Sequence, residues 1–272
     1  MYTSSGRATD YHDADMVCIA RVHDYLRGGE HNFSFDRRYA DADPELAHVV
    51  RAILRRERSF LGHAVRFMLN QGIRQFIDLG SGLPAKGSVL DITAQLCPDA
   101  RVVHVDADPA VVEYGRLILA EQNERTHFLL ADATRLDHVL GPSIVAGMLE
   151  LHRPIGVLAI GLPHLLSSSA RALSFLSSYG AALARGSAVA VTHLVPWFAD
   201  RLTTAAAPLM AGPGKSVYPR RRRKVALMFD GFDMVEPGII SLSRQWASGP
   251  PAPDPLAGNE DTAMLAGLGI KS

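Results

Sequence analysis

Apolar positions recur along this chain at two different spacings, and the change from one to the other divides it in two. Up to residue 72 the spacing is three, four or seven, as at Leu46, Val50 and Leu54, which predicts amphipathic helices. Beyond residue 74, short apolar runs alternate with helical segments. These runs predict strands at 75–79, 101–106, 126–131, 155–160 and 187–194. Strands and helices in alternation predict a parallel sheet with helices on both faces.

Proline, glycine and acidic residues mark where the predicted elements begin and end. Asp43 and Pro44 are suited to begin a long helix, as a cap and as a first-turn residue. Two further strands, 232–236 and 239–246, are separated by a Pro-Gly turn and predict a hairpin at the end of the sheet. The sequence from residue 248 is rich in Pro, Gly and Ala, and we expect a loosely ordered tail there. The expected organisation is a helical region at 1–72, an α/β core at 73–247 and a tail at 248–272.

The composition is that of an ordinary globular protein. Of the 272 residues 47% are hydrophobic, and 28 Lys and Arg balance 28 Asp and Glu, which leaves no basic excess for binding nucleic acid. The two cysteines, Cys18 and Cys97, form neither a disulfide framework nor a zinc-binding pair, so we expect no metal site. The polar N-terminus lacks the apolar core of a signal peptide, and no apolar stretch reaches the ~18 residues of a membrane-spanning helix. We therefore expect a soluble, cytoplasmic protein that binds neither nucleic acid nor a membrane.

The first predicted strand ends in an acid followed by a glycine turn, at residues 78–82. Glycines here would let the backbone approach a ligand that a side chain would block, and Asp78 could accept a hydrogen bond from a ligand amino group. A tight turn without a ligand has the same pattern. Dinucleotide binding is another alternative, because the two glycines and Ala85 also fit a loose GxGxxA motif. The acid itself argues against it, as does Pro84, which stands where a phosphate-binding helix needs free amides.

Two more acids follow the next two predicted strands. Asp106 could bind both hydroxyls of a ribose, and Asp132 could accept a hydrogen bond from the exocyclic amine of adenine. Asp108 is better suited to cap the next helix. Acids after three successive strands favour a ligand site over coincidence, since open α/β sheets bind ligands at the carboxyl ends of their strands. The residues predicted to hold this ligand are Asp78, Gly80, Ser81, Gly82, Asp106, Ala107, Asp132 and Ala133.

Several longer segments carry motifs of their own, namely 21–33 with Asp36, 58–61, 76–84, 105–109 and 231–238. In these segments the chain resembles, over about residues 17–246, a bacterial family of S-adenosylmethionine-dependent methyltransferases long catalogued as a domain of unknown function. The resemblance implies the class I methyltransferase fold: a Rossmann-like α/β sheet of seven strands with an antiparallel last strand, here preceded by N-terminal helices. It also implies S-adenosylmethionine as the cofactor, and it implies no particular substrate.

The loop after the fourth predicted strand contains His164, the first candidate for a general base, because this loop lies beside the methyl group in class I enzymes. The family commonly has acids after this histidine, where the chain has serines at 167–169, which weakens the case for acid-assisted chemistry. A histidine held by a structural hydrogen bond is the alternative. His193, at the end of the fifth strand, is a second candidate.

The N-terminal segment could cover the methionine end of the cofactor. Arg58 lies on the apolar stripe of the long helix, where an unpaired cation is costly. Its partner could be Asp36, a residue near Glu57, or the carboxylate of the ligand. The residues that could form a lid are Tyr25, Gly28, Gly29 and Asn32. Simple packing of this segment on the sheet is the alternative, and the basic run 220–224 is most simply a solvated helix face that could also attract an anionic substrate.

These patterns together predict a single-domain methyltransferase that uses S-adenosylmethionine and acts on oxygen, nitrogen or carbon of a small molecule. Such transfer depends mainly on the alignment of nucleophile, methyl and sulfur. One alternative is a protein that binds the cofactor without methylating, as a binding module or as an aid to a cyclisation or rearrangement. A less favoured alternative is an NAD-dependent oxidoreductase.

Overall fold

The computed structural model of the chain describes residues 16–119, 125–196, 200–242 and 264–272. The helices are α1 (Ile19–Arg27), α2 (Ser34–Ala40), α3 (Pro44–Asn70), α4 (Val89–Leu96), α5 (Pro109–Leu119), α6 (Leu136–Leu140), α7 (Ser143–Met148), α8 (Ser169–Ala182), α9 (Asp200–Ala211) and α10 (Arg222–Ala226). The strands are β1 (Gln75–Leu79), β2 (Arg101–Asp106), β3 (Thr126–Leu130), β4 (Gly156–Ala159), β5 (Ala188–Leu194), β6 (Asp233–Met234), β7 (Ile240–Ser241) and β8 (Met264–Ile270).

One mixed sheet organises the molecule, in the order β3-β2-β1-β4-β5-β8-β6, with β7 also paired to β8. Strands β1 to β5 are mutually parallel, and β8 runs antiparallel to β5. The predicted α/β fold with an antiparallel strand at the end of the sheet and helices at the N-terminus is confirmed. The first five predicted strands agree with the structure to within one or two residues. The helical segment expected at 136–151, with an interruption near residues 141–142, is divided there into α6 and α7.

The end of the sheet differs from the hairpin predicted at 232–246. Strands β6 and β7 are two residues long and pair with β8 instead of with each other. Residues 243–246 of the predicted second strand lie outside the described residues. Strand β8 falls within the segment predicted to be a loose tail, so the boundary drawn at residue 247 is wrong: the last strand of the core comes from residues 264–270.

The glycines of β8 explain why composition misled the prediction of a tail. A Cβ at Gly267 would lie 2.8 Å from the Phe229 ring, and one at Gly269 would lie 2.9 Å from Cβ of Phe232. The Phe229 ring and the Cβ of Phe232 therefore pack directly on the strand backbone. These glycines are part of a closely packed core and do not mark a flexible segment.

The long helix α3 begins where its sequence signals predict. The Asp43 side chain accepts a hydrogen bond from the Leu46 amide at 3.0 Å, and Pro44 occupies the first turn. Its apolar stripe is buried with Phe76 of β1 in one core cluster that also includes Val50 and Met68. This packing fixes the polar residues of the same stripe against the sheet.

Helix α1 packs against α2, α3 and α9. Together with the loop after α9 it covers the edge of the sheet at which β1 to β4 end. Within the ranges that the structure describes, no helix has the length and apolarity needed to cross a membrane. Those same ranges hold no cluster of His, Cys, Asp and Glu suited to a metal ion.

Candidate active site

A cavity of about 810 Å³ opens at the carboxyl ends of β1, β2, β3 and β4. One part is lined by the turns after the first three strands. The other part is lined by α1, α3, the loop after β4, the end of α9 and the loop that follows it. The predicted site residues that line this cavity are Gly80, Ser81, Gly82, Asp106, Ala107, Asp132, Ala133 and His164.

The turn after β1 exposes its backbone to the cavity. Gly80 and Gly82 have φ values of 68° and 60°, which favour glycine. The amides of Gly80 and Ser81 donate to the Val105 carbonyl at 2.8 and 3.1 Å, so the turn is held against β2. A Cβ on Gly80 would lie 3.2 Å from Leu162, which leaves no room for a larger residue.

Asp106 is fixed at the end of β2 by two backbone amides. Gly82 donates to its Oδ2 at 2.9 Å and Asp108 donates to its Oδ1 at 3.0 Å. Burial raises the pKa of this carboxyl group. Each oxygen keeps a further lone pair, so the group can still accept hydrogen bonds from ligand hydroxyls. Asp108 itself accepts from the Ala110 amide at 2.9 Å, in agreement with the predicted helix cap.

Asp132, at the end of β3, lies in a more open network. Thr134 donates to its Oδ1 from both amide and hydroxyl, at 2.9 and 2.7 Å, and Arg171 of α8 donates to its Oδ2 at 2.7 Å. Partial burial acts to raise the pKa of Asp132, but the hydrogen bonds from Thr134 and the charge of Arg171 outweigh it and the pKa is lowered. This carboxylate therefore stays ionised at the rim of the cavity.

Asp78 does not line the cavity, contrary to its predicted role. Its Oδ2 lies 3.1 Å from Nδ1 of the buried His104, its neighbour across β1 and β2. The His104 ring in turn stacks on Phe128 with 4.6 Å between centroids. The alternation of side chains along β1 turns Asp78 towards α3 and not towards the sheet edge.

The four residues predicted to form a lid build the turn after α1 and do not line the cavity. The Tyr25 hydroxyl donates to Asp41 at 2.7 Å, and the amide of Asn32 donates to Asp24 at 2.9 Å. Gly28 ends α1 with a φ of 83°, and a Cβ at Gly29 would collide with Asp24. Their polar groups are thus used within the segment itself.

Arg58 also lies outside the cavity lining. Cγ and Cδ of Arg58 lie 3.3 Å from the place that a Cβ on Gly87 would take. Burial lowers the pKa of Arg58, although the charges of Asp78 and Glu57 act to raise it. Asp36, one of its suggested partners, is fully buried and pairs with Arg21 at 2.8 Å. The hypothesis that Arg58 lies next to Asn32 at the cavity is not supported by this placement.

A different cation and a buried acid line the cavity, and sequence reasoning missed both. Arg27 comes from the last turn of α1, and Glu57, 3% exposed, comes from α3. Burial lowers the pKa of Arg27 to about 9 and raises the pKa of Glu57. The signal for Glu57 was present, since it lies on the same apolar stripe that drew attention to Arg58.

His164 lies in the 3₁₀ turn Pro163–Leu165 and lines the cavity. It is 1% exposed, and its buried Nδ1 has no hydrogen-bond partner among the residues that the structure describes. Burial, followed by the nearby His193, His23 and Arg220, holds its pKa well below the usual value. The imidazole is therefore neutral at neutral pH, and one of its two ring nitrogens is an acceptor.

His193 has a structural environment that argues against its predicted catalytic role. Its Nδ1 donates to the Leu194 carbonyl at 2.6 Å, and its Nε2 accepts from Arg220 at 3.1 Å. Both ring nitrogens are thus occupied, and the residue does not line the cavity. Burial lowers the pKa of His193 to about 4.

Arg220 is buried at 5% exposure, which corrects its assignment to a solvated helix face. It donates to the carbonyl of Pro163 at 3.0 Å and to that of Leu166 at 2.5 Å, on either side of His164. Residues 221–224 are exposed, as predicted for the rest of the basic run. Arg220 therefore fixes the loop that presents His164.

His23 of α1 is a second cavity histidine that sequence reasoning missed. Its Nε2 donates to the Leu209 carbonyl at 2.9 Å, which leaves Nδ1 as the acceptor atom. Burial lowers the pKa of His23 to about 3. His23 and His164 thus bring two neutral imidazoles to the same part of the cavity.

Comparison with known proteins identifies close structural relatives. The model of a family described as S-adenosyl methyltransferase matches residues 5–272. The crystal structure of a methyltransferase candidate from Thermobifida fusca is 31% identical, with a TM-score of 0.81 over 97% of this chain and 99% of that chain. A DUF574 family protein from Streptomyces avermitilis is 27% identical, with a TM-score of 0.81 over 96% of this chain and 99% of that chain.

A more distant likeness concerns the fold alone. Magnesium protoporphyrin IX methyltransferase from Synechocystis, crystallised with bound S-adenosylmethionine, is 11% identical, with a TM-score of 0.52 over 92% of this chain and 90% of that chain. None of the curated proteins compared with the chain matches it.

Proposed function

The chain belongs to the S-adenosyl methyltransferase family, and from this premise we propose that it transfers a methyl group from S-adenosylmethionine to a small molecule bound in the same cavity. The observation that carries the proposal is the division of the cavity into two parts. One part presents glycine backbone and carboxylates, and the other presents neutral imidazoles. The first suits an adenosine, and the second suits an acceptor that must lose a proton.

The residues of the first part fit the cofactor. The strand order β3-β2-β1-β4 puts Asp132, Asp106, Gly80 and Gly161 in a row along the sheet edge. Three strand intervals span about 14 Å, which is enough for an extended nucleoside with a side arm. In this arrangement Asp132 and the Ala133 amide would hold the adenine, and Asp106 with Ala107 would hold the ribose. The turn at 80–82 has no side chain that would block the ligand at either glycine.

When bound, S-adenosylmethionine supplies an electrophilic methyl group on its sulfonium. The work of the protein is then to align the acceptor and to take up its proton. His164 is suited to this because it lines the cavity and its ring is neutral. His23 is suited to accept a second hydrogen bond from the acceptor and thereby to orient it. Arg220 holds the loop of His164 in place.

The size and charge of the cavity favour a small acceptor. Its volume of about 810 Å³ falls within the range of small-molecule sites, and it must hold cofactor and acceptor together. Beside the charged residues Arg27, Glu57 and Lys215, the acceptor part is lined by apolar groups, the two imidazoles and Tyr218. We therefore propose a compact acceptor with an O–H or N–H group.

Calorimetry tests the cofactor half of this proposal. S-adenosylhomocysteine should bind to the wild-type protein, and NAD should bind far more weakly. Asp106→Asn should lower the affinity for S-adenosylhomocysteine by at least tenfold, because it removes charge-assisted hydrogen bonds of about 1.5–3 kcal/mol. Asp137→Asn is the matched control, since Asp137 is exposed and pairs only with its neighbours Arg135 and His138. Tighter binding of NAD would contradict the proposal.

A transfer assay tests the catalytic half. The protein is incubated with methyl-tritiated S-adenosylmethionine and a low-molecular-mass cell extract. We expect tritium in a small-molecule product, an equal amount of S-adenosylhomocysteine, and loss of both with Asp106→Asn. Tight cofactor binding without any transfer would favour the alternative of a protein that binds the cofactor without methylating.

A further inference from the structure

Two opposite charges face the cavity without pairing with each other. Arg27 and Glu57 lie in its lining, yet no ion pair joins them within the described residues. The Nε of Arg27 is buried without a hydrogen-bond partner. In the described part of the chain, Thr192 is the sole donor to the Glu57 carboxylate, through Oε1 at 2.6 Å. Buried charges in this state are costly unless a ligand satisfies them.

The position of Glu57 is fixed by β4 and β5. The Thr192 hydroxyl that donates to Glu57 also accepts from the Gly161 amide at 2.7 Å, just after β4. A Cβ on Gly161 would lie 3.3 Å from Oε1 and 3.5 Å from Oε2 of Glu57. The carboxylate is therefore held against the end of β4.

This place lies beyond the adenosine part of the site. The row along the sheet edge runs from Asp132 through Asp106 and Gly80 to Gly161. If the adenine lies over β3 and the ribose over β2, as the proposed function requires, the rest of the cofactor extends over β1 and β4. Its amino-acid part carries one carboxylate and one ammonium group, which are complementary to a guanidinium and a carboxylate.

We propose that Arg27 binds the α-carboxylate and Glu57 binds the α-ammonium group of the cofactor's amino-acid part. This rests on the proposed function, because it assumes that the adenosine occupies the turns after β2 and β3. The sequence suggested Arg58 and Asn32 for binding the methionine end of the cofactor. The proposal gives that role to Arg27, in the last turn of α1, and to Glu57 of α3. In this proposal Arg58, whose side chain packs on Gly87, adds positive charge near the site and does not contact the cofactor.

Calorimetry with two ligands separates this pair from the adenosine site. S-adenosylhomocysteine contains the amino-acid part, and 5′-methylthioadenosine lacks it. We expect Arg27→Met and Glu57→Gln each to lower the affinity for S-adenosylhomocysteine by at least tenfold. The affinity for 5′-methylthioadenosine should change by less than about twofold. Arg55→Met, at an exposed position of α3, is the control and should change neither.

The wild-type protein gives a test that needs no variant. It should bind S-adenosylmethionine more tightly than decarboxylated S-adenosylmethionine, which has no α-carboxylate for Arg27. Equal affinity for these two, equal loss of both adenosine ligands in the Arg27 and Glu57 variants, or a selective loss with Arg58→Met instead would each overturn the inference. If the wild-type protein bound neither S-adenosylhomocysteine nor 5′-methylthioadenosine, the proposed function itself would fail.

Discussion

The two parts of the cavity are built in different ways. The cofactor part uses the turns after three consecutive strands, so each of its residues follows directly from a strand end. The acceptor part brings together α1, α3, the loop after β4 and the end of α9, which are far apart in sequence. The first is a local consequence of the fold, whereas the second depends on how distant helices pack. The experiments below, from the largest expected effect to the smallest, test whether this structural division is also functional.

The largest effect is expected from His164→Ala in the acceptor part. Loss of a general base typically lowers the rate 10²–10⁴-fold, and turnover should fall within that range. The affinity for S-adenosylhomocysteine should stay within about twofold, because adenosine contacts come from the other part of the cavity. Turnover and calorimetry measure the two quantities, with the exposed His152→Ala as control. Unchanged turnover would show that alignment alone supports the reaction.

Acid should destabilise the protein through the buried His193, which is hydrogen-bonded to Arg220, the residue that holds the loop of His164. The pKa of His193 is about 4 in the folded protein and 6.5 in the unfolded chain. The unfolded state therefore takes up the proton first, and the free energy of unfolding falls by about 1.4 kcal/mol per pH unit from 6.5 down to about 4. Above pH 6.5 this contribution to stability is fully present.

Urea unfolding across that pH range checks the effect, with His193→Gln compared to wild type. The variant should lose less stability on acidification, since it has no proton to take up at this position. His152→Gln, at an exposed position, should follow the wild-type curve. The same acid slope in His193→Gln would mean that His193 is not the group responsible.

Two glycines with the same backbone conformation, one in each part of the cavity, allow the same substitution to be compared in both parts. Gly80 has a φ of 68° in the cofactor turn, and Gly214 has a φ of 69° in the acceptor loop. Alanine at either position costs about 1–2 kcal/mol for a left-handed backbone. Only at Gly80 would the new Cβ meet a neighbour, Leu162 at 3.2 Å, whereas Gly214 faces open space.

We expect Gly80→Ala to lower the affinity for S-adenosylhomocysteine about tenfold, or about 1.4 kcal/mol. Gly214→Ala should leave this affinity unchanged. Calorimetry measures the affinities, and melting temperatures without ligand check that the two variants lose similar stability. A similar loss of affinity in both variants would contradict the functional division between the cofactor part and the acceptor part.

The smallest effect is expected from Arg171→Met, at the rim of the cofactor part. Its ion pair with Asp132 is about half exposed on both sides, with side-chain exposures of 54% and 41%. Pairs of this kind contribute about 0–1 kcal/mol, so S-adenosylhomocysteine affinity should change by less than about fivefold. A loss above tenfold by calorimetry would instead make Arg171 a direct ligand contact.

The same division explains what the sequence could predict. Parallel strands end at one edge of the sheet, so Asp106 and Asp132 could be placed there from strand pattern alone. The glycine turn was predictable for the same reason. Asp78 was assigned to the ligand from its position at the end of β1 alone, without the direction of its side chain, which lies 3.1 Å from His104.

The acceptor part could not be derived from local patterns. Arg27 and His23 lie on one helix whose exact packing against α3 and α9 decides which side chains face the cavity. Arg58 and Glu57 are adjacent on α3, and the sequence drew attention to the one that points elsewhere. Strand β8 was missed because its glycines, which make room for the Phe229 ring and the Cβ of Phe232, are residues typical of a loop.

A crystal structure with S-adenosylhomocysteine tests the central claim most directly. We expect the adenine beside Asp132, the ribose hydroxyls on Asp106, and the amino-acid part between Arg27 and Glu57. The sulfur should then face the part of the cavity that contains His164 and His23. A ligand bound outside this cavity, or bound with its amino-acid part away from β4, would contradict the account.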